Sequence, residues 1–166
     1  ILIGSTILNI INRLFEEGYP EEVIFRLTHK TLNQLSSDKQ HSKILFIYFL
    51  FHLSKQLGFM PNFERCYSCN ILFKHDVIFS LRSNSLICSN CNIHNTLETD
   101  FVISYESLSK CALINKTHIN SIIDIKISFL HLKELFNFLI AFMNSNMNNM
   151  HKIKGIKEIT KIYHAE

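Results

Sequence analysis

Four of the five cysteines stand as two C-x2-C pairs, Cys66-Tyr67-Ser68-Cys69 and Cys88-Ser89-Asn90-Cys91, with eighteen residues between them. Two thiolates two residues apart can grip one ion from a tight turn. A second such turn then completes a tetrahedron of soft ligands, so the spacing predicts a structural zinc site with Cys66, Cys69, Cys88 and Cys91 as ligands. With four thiols in place no coordination position is left for water, and metal-assisted hydrolysis is not expected. Asn70 and Asn92, each just after a pair, suit the positive φ such turns need, and the N–H groups of Ser68, Ser89 and Asn90 are placed to donate to sulfur. Two other readings stay open: redox chemistry at a C-x-x-C pair, and disulfides or a ligand set that holds no metal. Redox motifs come singly, usually beside a βαβ unit, which is absent here. Disulfides fit poorly with an odd cysteine total.

Around this constellation the chain reads as helical. Ile7, Leu8, Ile10, Ile11, Leu14 and Phe15 recur at spacings of three and four, an amphipathic helix ended by Gly18 and Pro20. A second helix follows Pro20, with Glu21 and Glu22 at the positive end of its dipole. A third, about 39–57, is apolar on nearly every side from Ile44 to Phe51, which marks a central buried element, with Gly58 as its cap. From Pro61 to Asp100 the helical period stops. Val77–Leu81 and Leu86–Cys88 read as a hairpin around Arg82–Ser85, in an insert with little core of its own. Ser104 starts a short helix through Cys111, itself a buried helix residue, and a long helix is predicted over Ile119–Asn144. The expected fold is mainly α: a helical bundle with an inserted small zinc-binding β-hairpin subdomain. Its divisions are 1–60, the first helical part; 61–100, the insert; 101–144, the second helical part; and 145–166, a polar linker at Asn144–Asn149 and a basic C-terminal tail.

The function classes narrow by exclusion. The glycines, Gly4, Gly18, Gly58 and Gly155, lie too far apart for a phosphate-cradling loop. No H-E-x-x-H, no G-x-S-x-G and no paired carboxylate motif occurs, so no enzyme is expected. His52, among apolar residues, reads as a satisfied core histidine; His75 and His94 are the remaining substitutes for a cysteine ligand. The longest apolar run, Ile44–Phe51, is far short of a membrane span, and a soluble chain is expected. The net charge of +3 permits contact with nucleic acid or an acidic partner. Its densest cluster is Lys152, Lys154, Lys157 and Lys161; on a helix the last three would share a face able to neutralise phosphates without reading sequence. The alternative is a solvated, solubilising surface.

The run Phe49-Leu50-Phe51-His52-Leu53-Ser54-Lys55-Gln56-Leu57-Gly58-Phe59-Met60-Pro61-Asn62-Phe63-Glu64-Arg65-Cys66-Tyr67-Ser68-Cys69 resembles the bacterial RecO recombination mediators, in which a buried helix ends in Leu-Gly-Tyr/Phe before a cysteine pair. The hairpin before Cys88, the helix start at Ile103-Ser104, the Gly18-Tyr19-Pro20-Glu21-Glu22 turn and the lysine-rich end match in order. The resemblance implies an OB-fold followed by a helical domain with an inserted zinc subdomain. It implies non-catalytic binding of single- and double-stranded DNA and strand annealing. It also implies association with RecR, a groove with an apolar floor and basic rim for the acidic tail of single-strand binding protein, and help in loading RecA. No OB-like series of strands is present, and Ile1 is not an initiator, so the chain is expected to correspond to the helical and zinc portion. A cytoplasmic, nucleoid-associated bacterial location follows from the same resemblance, with neither a membrane nor a small-molecule substrate expected. The alternative is a zinc-stabilised protein–protein interaction module without DNA binding of its own.

Overall fold

The computed structural model describes residues 1–15, 21–92, 101–147 and 150–165. The turn at Gly18 and Pro20, and His94, lie outside the described residues. The fold is mainly helical with a small antiparallel sheet, as the sequence predicts. Helix α1 (Leu2–Leu14) buries Ile3, Thr6, Ile7 and Ile10, the stripe its spacing demands. Helix α2 (Glu22–Ser37) buries Ile24, Thr28 and Thr31. The two threonine hydroxyls donate to the carbonyls of Ile24 and Leu27, both at 2.8 Å, so neither is buried without a partner.

Helix α3 (Ser42–Gln56) is the axle of the molecule. Every residue from Ile44 to Phe51 is buried, because α1, α2 and two later helices, Tyr105–Lys116 and Phe129–Asn146, pack against it from different sides. Gly58 follows with φ at 81°, the left-handed geometry that a glycine reaches at no steric cost.

The insert folds as a sheet of strand order β2-β1-β3. Strands β1 (Val77–Ser80) and β2 (Ser85–Cys88) form the expected hairpin, with Asn84 at φ 49° in its turn. Strand β3 (Phe101–Ile103) pairs with the other edge of β1, so Val77 faces both Cys88 and Ile103. This strand is not among the sequence expectations, which take Ile103 only as the approach to a helix. The insert, expected to have little core of its own, instead shares the core of the helices. Val77, Phe79, Leu86 and Ile103 are buried in the same core as the helices. The Phe79 ring lies 5.2 Å from Phe138 and 5.6 Å from Phe142, edge-on to both. The sheet is welded to the bundle by aromatic packing.

Helix α4 (Tyr105–Lys116) starts where Ser104 accepts from the Ser107 N–H and buries Cys111, both as expected. The single helix predicted over Ile119–Asn144 is in fact two elements. A 3-10 turn at Ile119–Asp124 buries Ile119 and Ile122 against α2 and α3. Helix α5 (Phe129–Asn146) begins only after Ser128, whose hydroxyl caps the His131 N–H. Four β-branched residues at 122, 123, 125 and 127 weaken helix over this stretch, and the Ser128 cap offers a competing start. At its far end α5 continues through Asn144, Ser145 and Asn146, within the stretch expected to be a linker. Asn146 and Ser145 hydrogen-bond Asn84, fastening the hairpin tip to the helix.

Helix α6 (Ile156–His164) carries much of the lysine cluster on a buried base: Ile156, Ile159 and Tyr163 are in the core. The Tyr163 ring stacks on Phe136 at 4.1 Å and 7°, and its hydroxyl donates to the Lys43 carbonyl. Gly155, at φ 99°, lets the chain pass Thr6 so closely that a Cβ would lie 1.9 Å from the threonine oxygen.

Candidate metal centre and basic face

The first cysteine pair sits on a knuckle held by backbone bonds. Cys66 N–H donates to the Ile71 carbonyl at 3.0 Å and Asn70 N–H to that of Cys66 at 2.9 Å, while Arg65 Nη1 closes on the Asn70 carbonyl at 2.9 Å. Asn70 takes φ 59°, as predicted, and reverses the chain. The second pair begins at the end of β2 and turns through a 3-10 segment, Ser89–Cys91. Asn92 does not take positive φ: it stands at −87°, because a 3-10 turn closed by its N–H on the Ser89 carbonyl needs no left-handed residue. A bond from Tyr67 N–H to the Leu86 carbonyl, 3.0 Å, ties the knuckle to β2 and brings the two pairs together.

All four sulfurs lie within 4.8 Å of one another. Cys69 Sγ and Cys88 Sγ are 3.8 Å apart. Tetrahedral metal–sulfur bonds of about 2.3 Å give an edge of about 3.8 Å, so the donor set fits one thiophilic ion held by four thiolates. No disulfide joins the described cysteines. Burial by itself would raise the Cys66 thiol. The N–H groups of Cys88, Cys69 and Ser68 aimed at its sulfur outweigh that and bring its pKa down to about 6. The Cys88 N–H reaches this sulfur at 3.3 Å. Cys91 moves the opposite way, to about 12, because its thiol donates toward Cys69 and Cys88 and faces the Cys66 thiolate. Crowded against the other sulfurs, Cys91 thus holds a proton that a cation would displace.

The remaining candidates fall elsewhere. His75 is exposed and outside the cluster. Cys111 is fully buried in α4, its thiol pushed far up by desolvation. His52 is not satisfied as expected: its Nε2 is buried without a hydrogen-bond partner among the described residues. Lys152, Lys154, Lys157 and Lys161 are all exposed, but only Lys157 and Lys161 lie on α6; Lys154 precedes Gly155, and Lys152 ends a 3-10 turn, Met150–Lys152.

Two carboxylates that sequence reasoning passed over organise the start of α4. Glu134 of α5 accepts from the N–H and hydroxyl of Ser104 and from the Ser107 hydroxyl, the last two at 2.8 Å. Asp76, at the foot of β1, accepts from the Tyr105 N–H at 2.8 Å. Both meet the positive end of α4. In the sequence Glu134 shows only as a charge inside an apolar run, a signal that could have marked it as a buried, partnered group.

Taken together these features define a helical-bundle protein with a four-cysteine metal-type centre fused through a small sheet to its core. The family model described as "Recombination protein O C terminal" matches residues 1–153, and the chain belongs to that family. It is similar to the protein named "DNA repair protein RecO" of Syntrophobacter fumaroxidans (strain DSM 10017 / MPOB), with 31% identity over 67 residues, 40% of this chain. The matched stretch is 26% of that relative's own length. Among the described residues no helix is long and apolar enough to cross a membrane.

Proposed function

We propose that the chain serves DNA repair and homologous recombination as the helical, zinc-stabilised portion of a RecO-type mediator, binding without covalent catalysis. The observation that carries this reading is the family match over residues 1–153 in a chain whose four thiols are gathered to hold an ion. The ion is zinc in this reading, bound by Cys66, Cys69, Cys88 and Cys91, and its role is structural. The unit 61–100 is then the metal-ordered insert between helical parts 1–60 and 101–144, with 145–166 as the basic end. Lys152, Lys154, Lys157 and Lys161 contact the phosphates of single- or double-stranded DNA, an assignment supported by their common exposure. The remaining partners are RecR and the acidic tail of single-strand binding protein, in service of RecA loading and strand annealing in the bacterial cytoplasm. A cleft of about 250 Å³ whose lining includes Val23, Leu27 and Ile119 together with Arg26 and Lys30 supports this reading, since such a tail requires an apolar surface beside cations.

The test is anisotropy of a labelled single-stranded oligonucleotide at about 50 and 200 mM salt, with metal analysis of the same preparation. Expected are one zinc per chain and binding that weakens steeply with salt. Replacing the four lysines with Gln should flatten the salt slope by about 0.7 for each phosphate that is no longer neutralised. A second reading, an interaction module without DNA binding, is favoured by the apolar cleft of about 590 Å³ between α1 and α2, where Phe25 is 69% exposed. Absence of oligonucleotide binding at low salt would select it.

A further inference from the structure

Between the first cysteine knuckle and the turn of the hairpin lies a cleft of about 410 Å³, distant in sequence from the lysine-rich end. Its polar lining comes from Asn62, Asn70, Ser83 and Asn84, with Arg65 and Tyr67 also on its wall, and no carboxylate lines it. Tyr67 is 72% exposed although its own backbone N–H is bonded to β2, so the ring is displayed from a fixed point. The side-chain amide of Asn70 makes no hydrogen bond among the described residues, and Asn62 uses only its oxygen, on the N–H groups of Glu64 and Arg65. Arg82, next to the cleft on the hairpin turn, and Lys74, beyond the knuckle, are exposed, and neither they nor Arg65 stand in an ion pair among the described residues.

A displayed aromatic ring, unused amide donors and acceptors, and uncompensated cations without a nearby carboxylate on the wall suit one kind of ligand. That ligand has flat heteroaromatic rings with hydrogen-bonding edges, joined by a polyanionic backbone. We propose that this knuckle cleft receives bases of single-stranded nucleic acid, Tyr67 stacking on one base while Arg65 and Arg82 meet the adjoining phosphates. The proposal rests on the DNA-binding reading above and adds a base-contacting site to it. A duplex does not fit, because its bases are already stacked and paired.

The experiment compares the whole chain with Tyr67→Ala, Tyr67→Phe and the four-lysine Gln variant on labelled single-stranded and duplex oligonucleotides across salt. Thermal melting and metal content check that each variant is folded. Expected is a loss of roughly tenfold in single-strand affinity for Tyr67→Ala with an unchanged salt slope, since stacking releases no counterions. Duplex affinity should be unaltered, and Tyr67→Phe should bind as the parent does. The lysine variant should show the reverse pattern, a flatter slope on both substrates. Equal single-strand affinity of the parent and Tyr67→Ala overturns the cleft while leaving DNA binding by the lysines intact, and is the result expected if the cleft serves a protein instead. A parent chain that binds no oligonucleotide at low salt overturns both.

Discussion

Glu134 shows how one side chain can set the start of a helix that lies thirty residues away. Its half-buried carboxylate gathers three donors from Ser104 and Ser107, and each hydrogen bond to a charged group contributes about 1.5–3 kcal/mol. Glu134→Ala leaves the fully buried Ser107 hydroxyl without its acceptor and should cost about 2–3 kcal/mol, read by urea denaturation. Glu134→Gln, which keeps acceptors but no charge, should cost less. His52 illustrates the opposite situation. Burial holds its pKa below 6.5, with Lys55 adding to the effect and the Ile114 carbonyl pulling the other way. The neutral ring is therefore favoured in the folded chain, and its stabilising contribution is complete above pH 6.5 and falls as the pH drops toward the depressed folded value. Stability measured by denaturant from pH 7.5 to 5.5 should decline less in His52→Leu than in the parent; equal slopes would remove His52 from the account.

Helix α6 shows why a lysine-rich segment need not be a tail. Its cations alternate with Ile156, Ile159 and Tyr163, which occupy the core, and Asn9 of α1 reaches back to the Lys154 carbonyl at 3.1 Å. Tyr163→Ala would remove a fully buried ring stacked on Phe136 and its bond to Lys43, and should cost about 3–5 kcal/mol in equilibrium unfolding. The junction before the helix is equally constrained. Gly58 and Gly155 both take positive φ, but an added Cβ meets nothing within 4 Å at Gly58 and collides with Thr6 at Gly155. Gly58→Ala should thus lose only about 1–2 kcal/mol to backbone strain, and Gly155→Ala more, a ranking that paired melting curves would check. Caps and the hairpin were legible beforehand because each depends on neighbours in the chain: Ser104 on Ser107, Gly58 on α3, Asn84 on two short strands; helix ends were less so, α4 running past the expected Cys111 to Lys116. The break at 125–128 was not, because an apolar run of the right length looks helical until its first half finds a different surface to bury against.

For the molecule as a whole, the metal centre and the core are joined and not independent. Structural zinc sites in small peptides carry about 10–16 kcal/mol of folding free energy, yet here ring contacts among Phe79, Phe101, Phe138 and Phe142 also pack the sheet onto the helices. Cys66→Ser or Cys88→Ser should abolish tight metal binding and lower the melting temperature, while the helical circular dichroism at 25 °C persists. Complete unfolding would mean that the ion organises the bundle too, and unchanged melting would deny it a structural role.

From residue order alone came the spacing of the thiols, the amphipathic stripes, the buried axle Ile44–Phe51 and the capping residues, all of which express bond geometry and hydrophobic period over a few positions. Beyond its reach were the pairing of Phe101–Ile103 with β1, the three-way grip of Glu134, the exposure of Tyr67 and the seating of α6 against α1. The three contacts among these join segments tens to more than a hundred residues apart. Local preference is nearly indifferent to such pairings, and the choice among them is made by which arrangement buries the apolar faces together while leaving few polar groups unpaired.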